Sequence, residues 1–393
     1  MIRHKKKSEL LNKDSRFTNL MLVMLAAFPS VDFFTRYIFE LLLLIPILII
    51  VGINRSLFRP ILLIFLYLIL SSSIHFFISG SPDEIYDLIR IISPLLVFSI
   101  VYKKINNNNI ETIFNWLILL NLMAIFYFEH IGDIFSLSQY MHSRDLVESY
   151  GRHSGIFTNV AVLGAFSTLS IIFNLGLIFQ RNRLSLKGFF SIILSGYLLL
   201  ESGSKTGMGL TLIFSTLMFF LYTFKHRNFF SISLSSILIL SFISILPFLI
   251  ETYYQLEKLF MVFDIGLLGI SSFSGRTIIW MNIFETYFSS NLYFLFGVPK
   301  LIIDEVSTTY DNDYIWIIAR YGIFALLGYL LIIFTLILKY MKVIKYNNNF
   351  SANFWSLLLL CCYGLFIGVF TTPQLFILAC TVIVPVYNQN FMK

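Results

Sequence analysis

The sequence predicts an all-α, polytopic membrane protein: one integral membrane domain over residues 1–393, with about twelve transmembrane helices and a large exterior loop. Three observations predict it. The chain is 58% hydrophobic and 12% charged, where a soluble domain carries roughly a quarter charged residues. Runs such as "LLLLIPILIIVGI" and "ISLSSILILSFISILPFLI" hold no charge, on the scale of the about 20 apolar residues that cross a bilayer. The Lys and Arg residues alternate in density from one connecting segment to the next.

Taken in order, the apolar spans fall near 17–31, 37–53, 60–79, 85–102, 110–128, 155–179, 188–201, 207–224, 229–250, 314–338, 352–372 and 374–389. The span at 188–201 is short for a straight crossing, and only Asp32 and Arg36 break the first pair. Residues 1–16, "MIRHKKKSELLNKDSR", read as a basic cytoplasmic tail, with no small-residue cleavage site before the next polar stretch. With that tail inside, 19 Lys and Arg fall on inside segments, seven on outside segments, and two, Arg90 and Arg320, within spans. That bias sets the orientation and leaves both termini cytoplasmic. The acidic residues gather outside, in "GSPDEIYD", "EHIGD" and 251–313. The net charge of +7 therefore divides between an inner face that meets anionic lipid and a carboxylate-rich outer face. A nucleic-acid reading of the basic pI is excluded by this division.

Two exterior segments are long enough to carry function: 129–154 and 251–313. In the second, "SGRTIIWMNIFETYF" places Ile279, Trp280, Ile283, Phe284, Tyr287 and Phe288 on one helical stripe, with Ser274 in the N-cap position. The stripe fits a helix along the outer interface or one packed on the rest of the loop. The three cysteines, Cys361, Cys362 and Cys380, lie in apolar segments without metal-ligand spacing and read as buried, inert thiols.

The stretch "LLLESGSKTGMGLTL" (198–212) places a lysine among glycines, as phosphate-binding loops do. It lacks the G-x-x-x-x-G-K-[ST] spacing and the strand–loop–helix setting of such a loop, and it reads as an outward-facing turn. Arg90 and Arg320 each lie a few residues inside the outer end of a span, roughly 8–9 Å below the interface at about 1.5 Å per residue. An intramembrane charge is costly unless it is paired or faces a cavity. Asp87, three residues before Arg90, shares its helical face, whereas Arg320 has no carboxylate at that spacing. With Arg152, Lys205 and Arg276 at outer ends or loops, these cations suit a lipid diphosphate, since arginine grips phosphate through a bidentate fork and lysine as a point charge.

The order of features resembles the O-antigen ligase and Wzy-type polymerase superfamily. The resemblance is carried by "GRHSGIFTNVAVLGAF" (151–166), "SGSKTGMGL" (202–210), "SGRTIIWMNIFETYFSSNLYFLFGVPK" (274–300) and "STTYDNDYIWIIARYGIFALLGYL" (307–330). It implies a GT-C-like fold and metal-independent, cofactor-free glycosyl transfer at the outer face of a bacterial cytoplasmic membrane. The donor would be an undecaprenyl-diphosphate-linked glycan, as O-antigen or capsular repeat units, and the partners membrane lipids, a chain-length regulator and a flippase. Arg152, Arg276, Lys205, Arg320 and Arg90 would serve the donor diphosphate. Ligases of this kind carry a histidine before the Asn-x-Tyr of the large loop; here "EVSTTYDNDY" has none, which favours a polymerase. That leaves Asp311, Asp313 and Glu305 as base or acceptor-binding candidates, with His142 and His153 facing them from the smaller loop. The rivals are a ligase and, from another class, a flippase for lipid-linked oligosaccharides. A flippase would spread polar residues through many spans, whereas here they concentrate outside.

Overall fold

The computed structural model describes residues 58–84, 106–131, 152–157, 160–183, 185–226, 271–306, 312–347 and 351–366, with isolated positions elsewhere. Every regular element among them is a helix: α1 (Phe58–Ser79), α2 (Asn107–Phe126), α3 (Val160–Arg181), α4 (Leu186–Ser202), α5 (Lys205–His226), α6 (Ser271–Phe288), α7 (Asn291–Phe296), α8 (Lys300–Val306), α9 (Asp313–Asn347) and α10 (Ala352–Tyr363). Helix α2 runs on into one π-helical turn, Tyr127–Ile131.

Four segments are long and apolar enough to cross a membrane: Asn107–Ile131, Val160–Arg181, Lys205–Lys225 and Asp313–Lys342. They coincide with the spans expected at 110–128, 155–179, 207–224 and 314–338. Leu66–Ser79 and Ala352–Tyr363 are shorter apolar helical stretches, and α4, at 17 residues, matches the short span expected at 188–201. The spans expected at 17–31, 37–53, 85–102 and 229–250 lie almost wholly outside the described residues, as does most of 374–389. The apolar helices support a membrane protein. The span expected from residue 155 starts later, at Val160, because 152–157 forms a turn whose Ile156 N–H donates to Asn121 Oδ1 (3.0 Å).

The chain divides into two compact units. The first comprises 1–117, 276–343 and 360–393; the second, 118–275 and 344–359. In the second unit α3 packs against both α4 and α5. Its apolar window is 89% buried, against 28% for that of α5, so α3 is the central helix. Between apolar helices in lipid, association depends on close packing and interhelical hydrogen bonds rather than on expulsion of water. The sequence "FSTLSIIFN" (166–174) supplies both. Ser195 Oγ donates to Ser170 Oγ (2.9 Å), and Thr168 Oγ1 donates to Gly207 O (3.1 Å).

In the first unit the exterior stripe of α6 faces protein. Ile283 and Tyr287 are buried with Val298, Ile303 and Ala319, and Ile279 and Phe284 pack beside them, while Phe288 at the end of the stripe is exposed. Of the two readings open for this helix, the one packed on its own loop is observed. The helix begins at Ser271, so Ser274 lies within it rather than capping it. Ser271, Ser272 and Ser274 all fall within the first turn, so a serine does not by itself mark where the helix starts.

Helix α9 is broken at Gly322 (φ 82, ψ −179). Gly297, after α7, has almost the same angles (φ 86, ψ 179), a region essentially reserved for glycine. The two glycines let two backbones touch. A Cβ on Gly322 would lie 1.9 Å from Leu295 O, and one on Gly297 would lie 2.3 Å from the Arg320 carbonyl carbon. Neither contact is to a side chain that can swing away. Gly322→Ala is therefore expected to lower stability by about 3 kcal/mol or more, read as a drop in the unfolding temperature of the detergent-solubilised protein.

Candidate functional site

The second unit gathers charged residues where α2, α4 and α5 end or begin. Gly203 caps α4 in a left-handed conformation (φ 57), its N–H donating to Leu200 O. Ser204 opens α5, its Oγ accepting Gly207 N–H (3.2 Å). The expected turn at "SGSKTG" is thus a helix C-cap followed directly by an N-cap. Gly164 of α3 makes room for it, since a Cβ there would meet Ser204 Cβ at 2.3 Å.

The last carbonyls of a helix lack intrahelical donors. Here the segment after residue 151 supplies them. His153 N–H donates to Glu201 O (2.9 Å), and Arg152 Nε–H donates to Ser202 O (2.9 Å). A cation there also meets the negative end of the α4 dipole. Two stretches 50 residues apart in sequence are joined in this way. Arg152 is partly buried, and burial pulls its pKa below the ordinary value, although a guanidinium stays charged. Among the described residues its side-chain hydrogen bond runs from Nε, which leaves the two-pronged Nη face for an anion.

His153 is buried between two carboxylates. Its Nε2 lies 2.9 Å from Glu129 Oε1 and 3.8 Å from Glu201 Oε2. Glu129 comes from the π-helical turn that ends α2, a kind of local distortion frequent at functional sites. Lys205 is the first residue of α5, half-buried, on the same turn. The structure therefore brings together the segments carrying Arg152, His153 and Lys205, and adds Glu129 and Glu201, which the sequence reading did not single out.

The other sequence candidates lie in the first unit or outside the described residues. Arg90, Asp311 and His142 belong to the latter. Arg276 is half-buried near the start of α6, and Glu305 is exposed near the end of α8. Asp313 is fully buried, with Oδ2 accepting Val369 N–H (2.8 Å) and its own N–H donating to Gly364 O (2.8 Å). Asn312 beside it caps α9, its Oδ1 accepting the N–H of Tyr314 (2.9 Å) and of Ile315 (3.1 Å). Asn312 and Asp313 are thus committed to starting α9 and tying it to residues 364–369. Cys361 and Cys362 are free thiols of intermediate burial, not the fully buried ones expected.

Arg320 has a carboxylate partner from far along the chain. Its Nη2 lies 2.7 Å from Glu84 Oε2, and its Nη1 donates to Val298 O (2.9 Å), both side chains being almost fully buried. Glu84 Oε1 also accepts the N–H of Lys300, the first residue of α8 (2.6 Å). His75 Nε2 donates to Gly297 O (3.0 Å), Ser71 Oγ donates to Phe296 O (2.5 Å), and Tyr67 donates to Leu295 O. Together these bonds fasten "LFGVPK" to α1 and α9, so the guanidinium expected to serve a diphosphate is engaged within the fold. Burial alone would raise the Glu84 pKa, but the His75 ring, its Nδ1 3.6 Å from Oε2, and the Arg320 charge and hydrogen bond outweigh it and hold the carboxyl down at about 2.

No protein-family model matches the chain, and no curated protein is significantly similar to it.

A carboxyl whose folded pKa lies below its unfolded value stabilises the fold above the unfolded pKa, and that stability is lost as pH falls through the folded value. Between about 4.5 and about 2 the protein should therefore lose the Glu84 contribution. Glu84→Gln, which leaves Arg320 buried without its counter-charge, should cost about 3–5 kcal/mol at neutral pH. It should also flatten the acid limb of a stability–pH curve followed by thermal unfolding in detergent.

Proposed function

We propose that the chain is a GT-C-like membrane glycosyltransferase with about twelve spans that polymerises undecaprenyl-diphosphate-linked oligosaccharide repeat units at the outer face of a bacterial cytoplasmic membrane. One observation carries the reading. A partly buried arginine with an open Nη face adjoins a histidine held between two carboxylates, at one end of an apolar helical unit. Glycosyl transfer from a lipid diphosphate needs both parts: cations for the departing diphosphate and a group that takes the acceptor proton.

In the proposed step the bond between the anomeric carbon of the growing glycan and the diphosphate oxygen breaks, and its electron pair leaves with undecaprenyl diphosphate. Arg152 and Lys205 stabilise that charge. The acceptor hydroxyl of the next lipid-linked repeat bonds to the anomeric carbon, and its proton passes to the Glu129–His153–Glu201 cluster. The resemblance to O-antigen polymerases, and the lack of a histidine in the large loop, favour chain extension over ligation.

The test is glycan length on a gel from a deletion strain complemented with variants at matched protein level. Arg152→Ala and Lys205→Ala should each leave glycans stalled at one repeat unit, with long chains reduced on the order of 100-fold. Normal long chains in the deletion strain would overturn the polymerase reading. Long chains that accumulate on the lipid carrier without reaching an acceptor would replace it with the ligase, and loss of all outer-face glycan would replace it with the flippase.

A further inference from the structure

We propose that Glu129, His153 and Glu201 bind one divalent transition-metal ion, with Mn2+ or Zn2+ as the fitting chemistry. The inference rests on the reading above only in treating this end of the second unit as its working end. It departs from the metal-independent transfer that the resemblance implies.

Three groups from three separate segments converge. One ligand atom from each, a ring nitrogen of His153 and one oxygen of each glutamate, all lie within 4.8 Å of one another. Bonds of about 2.0–2.2 Å set neighbouring ligand atoms a little over 3 Å apart. The two distances to Nε2, 2.9 and 3.8 Å, bracket that spacing, so small side-chain rotations complete the site. The histidine is already placed, since its backbone N–H is bonded to Glu201 O.

Charge gives a second reason. Nε2 carries at most one proton, directed at Glu129 Oε1 2.9 Å away, so Glu201, which is also hydrogen-bonded by Tyr197, faces the ring at 3.8 Å without it. Arg152, the nearest cation in sequence, directs Nε to Ser202 O and forms no ion pair with either glutamate among the described residues. A divalent cation neutralises both carboxylates at once and takes the imidazole lone pair. Ser154, the next residue, is 1% exposed, and its Oγ has no hydrogen-bond partner among the described residues. That hydroxyl adjoins His153 in sequence and has unused hydrogen-bonding capacity.

The donor set narrows the ion. Mg2+ and Ca2+ take oxygen ligands, whereas an imidazole mixed with carboxylates suits Mn2+, Fe2+ or Zn2+. Three protein ligands leave coordination positions open, as catalytic rather than purely structural sites do, and those positions suit an oxygen of a diphosphate. Each glutamate keeps one oxygen outside the coordination for the acceptor proton, a weaker base than in the metal-free cluster.

The experiment uses the full chain, purified in detergent, stripped with chelator, loaded with Mn2+ or Zn2+ and desalted. Bound metal is read by atomic emission, and Mn2+ affinity by the paramagnetic resonance of the free ion. About one equivalent per chain is expected in the wild type. Binding should be at least about tenfold weaker in the isosteric Glu201→Gln and in His153→Ala, and unchanged in His130→Ala, whose exposed ring lies 3.8 Å from the far oxygen of Glu129. Glu129→Gln, on an exposed turn, stands in for either variant that fails to fold by size exclusion. Loading of wild type and Glu201→Gln to the same level, or no loading of either, overturns the metal site. A wild-type chain that makes polymer but loads no metal overturns this inference alone; metal binding retained while the deletion strain makes normal chains overturns the polymerase alone.

Discussion

A buried ion pair governs the first unit. Glu84 and Arg320 meet at 2.7 Å with almost no exposure, in a chain whose surroundings are otherwise apolar. Neither charge is tolerable there alone. The pair is useful because each partner also satisfies backbone: Arg320 bonds Val298 O, and Glu84 accepts the first N–H of α8. The loop after α7 is therefore held by charge at one end and, through Gly297 and Gly322, by close backbone contact at the other. The break of α9 at Gly322 frees carbonyls at a depth where water is scarce. The Val298 N–H takes up Ala319 O, and the Tyr67 hydroxyl shares its one proton between Tyr321 O and Leu295 O. Irregular backbone within a membrane segment survives only under such internal satisfaction.

The same requirement shapes the second unit by other means. No buried ion pair is seen in the interior of α3–α5 among the described residues. Small and hydroxyl-bearing residues let the helices approach and bond across. At the end of α4, orphan carbonyls take donors from a distant segment, and those donors are the backbone of His153 and the side chain of Arg152. Thus a structural need, the capping of a helix, also places an arginine and a histidine beside Glu201. The chemistry proposed for this cluster depends on that capping. A change that merely loosened the turn would separate the cation from the carboxylates as surely as removing either.

Much was legible in the amino-acid order. Composition and charge alternation determined the helical, membrane-bound class, because hydrocarbon excludes charge and leaves backbone groups no partner but each other. The turn at "SGSKTG" was readable because Gly203 and Ser204 each act locally, as a cap. Arg152, His153 and Lys205 were readable as charges at helix ends. Tertiary structure alone decided their company. Glu129, His153 and Glu201 lie on three separate segments, so no periodicity links them, and Glu84 lies 236 positions from Arg320. The stripe of α6 fixed that one face would be covered, while only packing showed that protein covers it. Asp313, which the sequence offers as a loop carboxylate, is instead claimed by two backbone groups from residues 364–369. Local rules fix which groups must be satisfied; which distant group satisfies them is decided only when the chain folds back on itself.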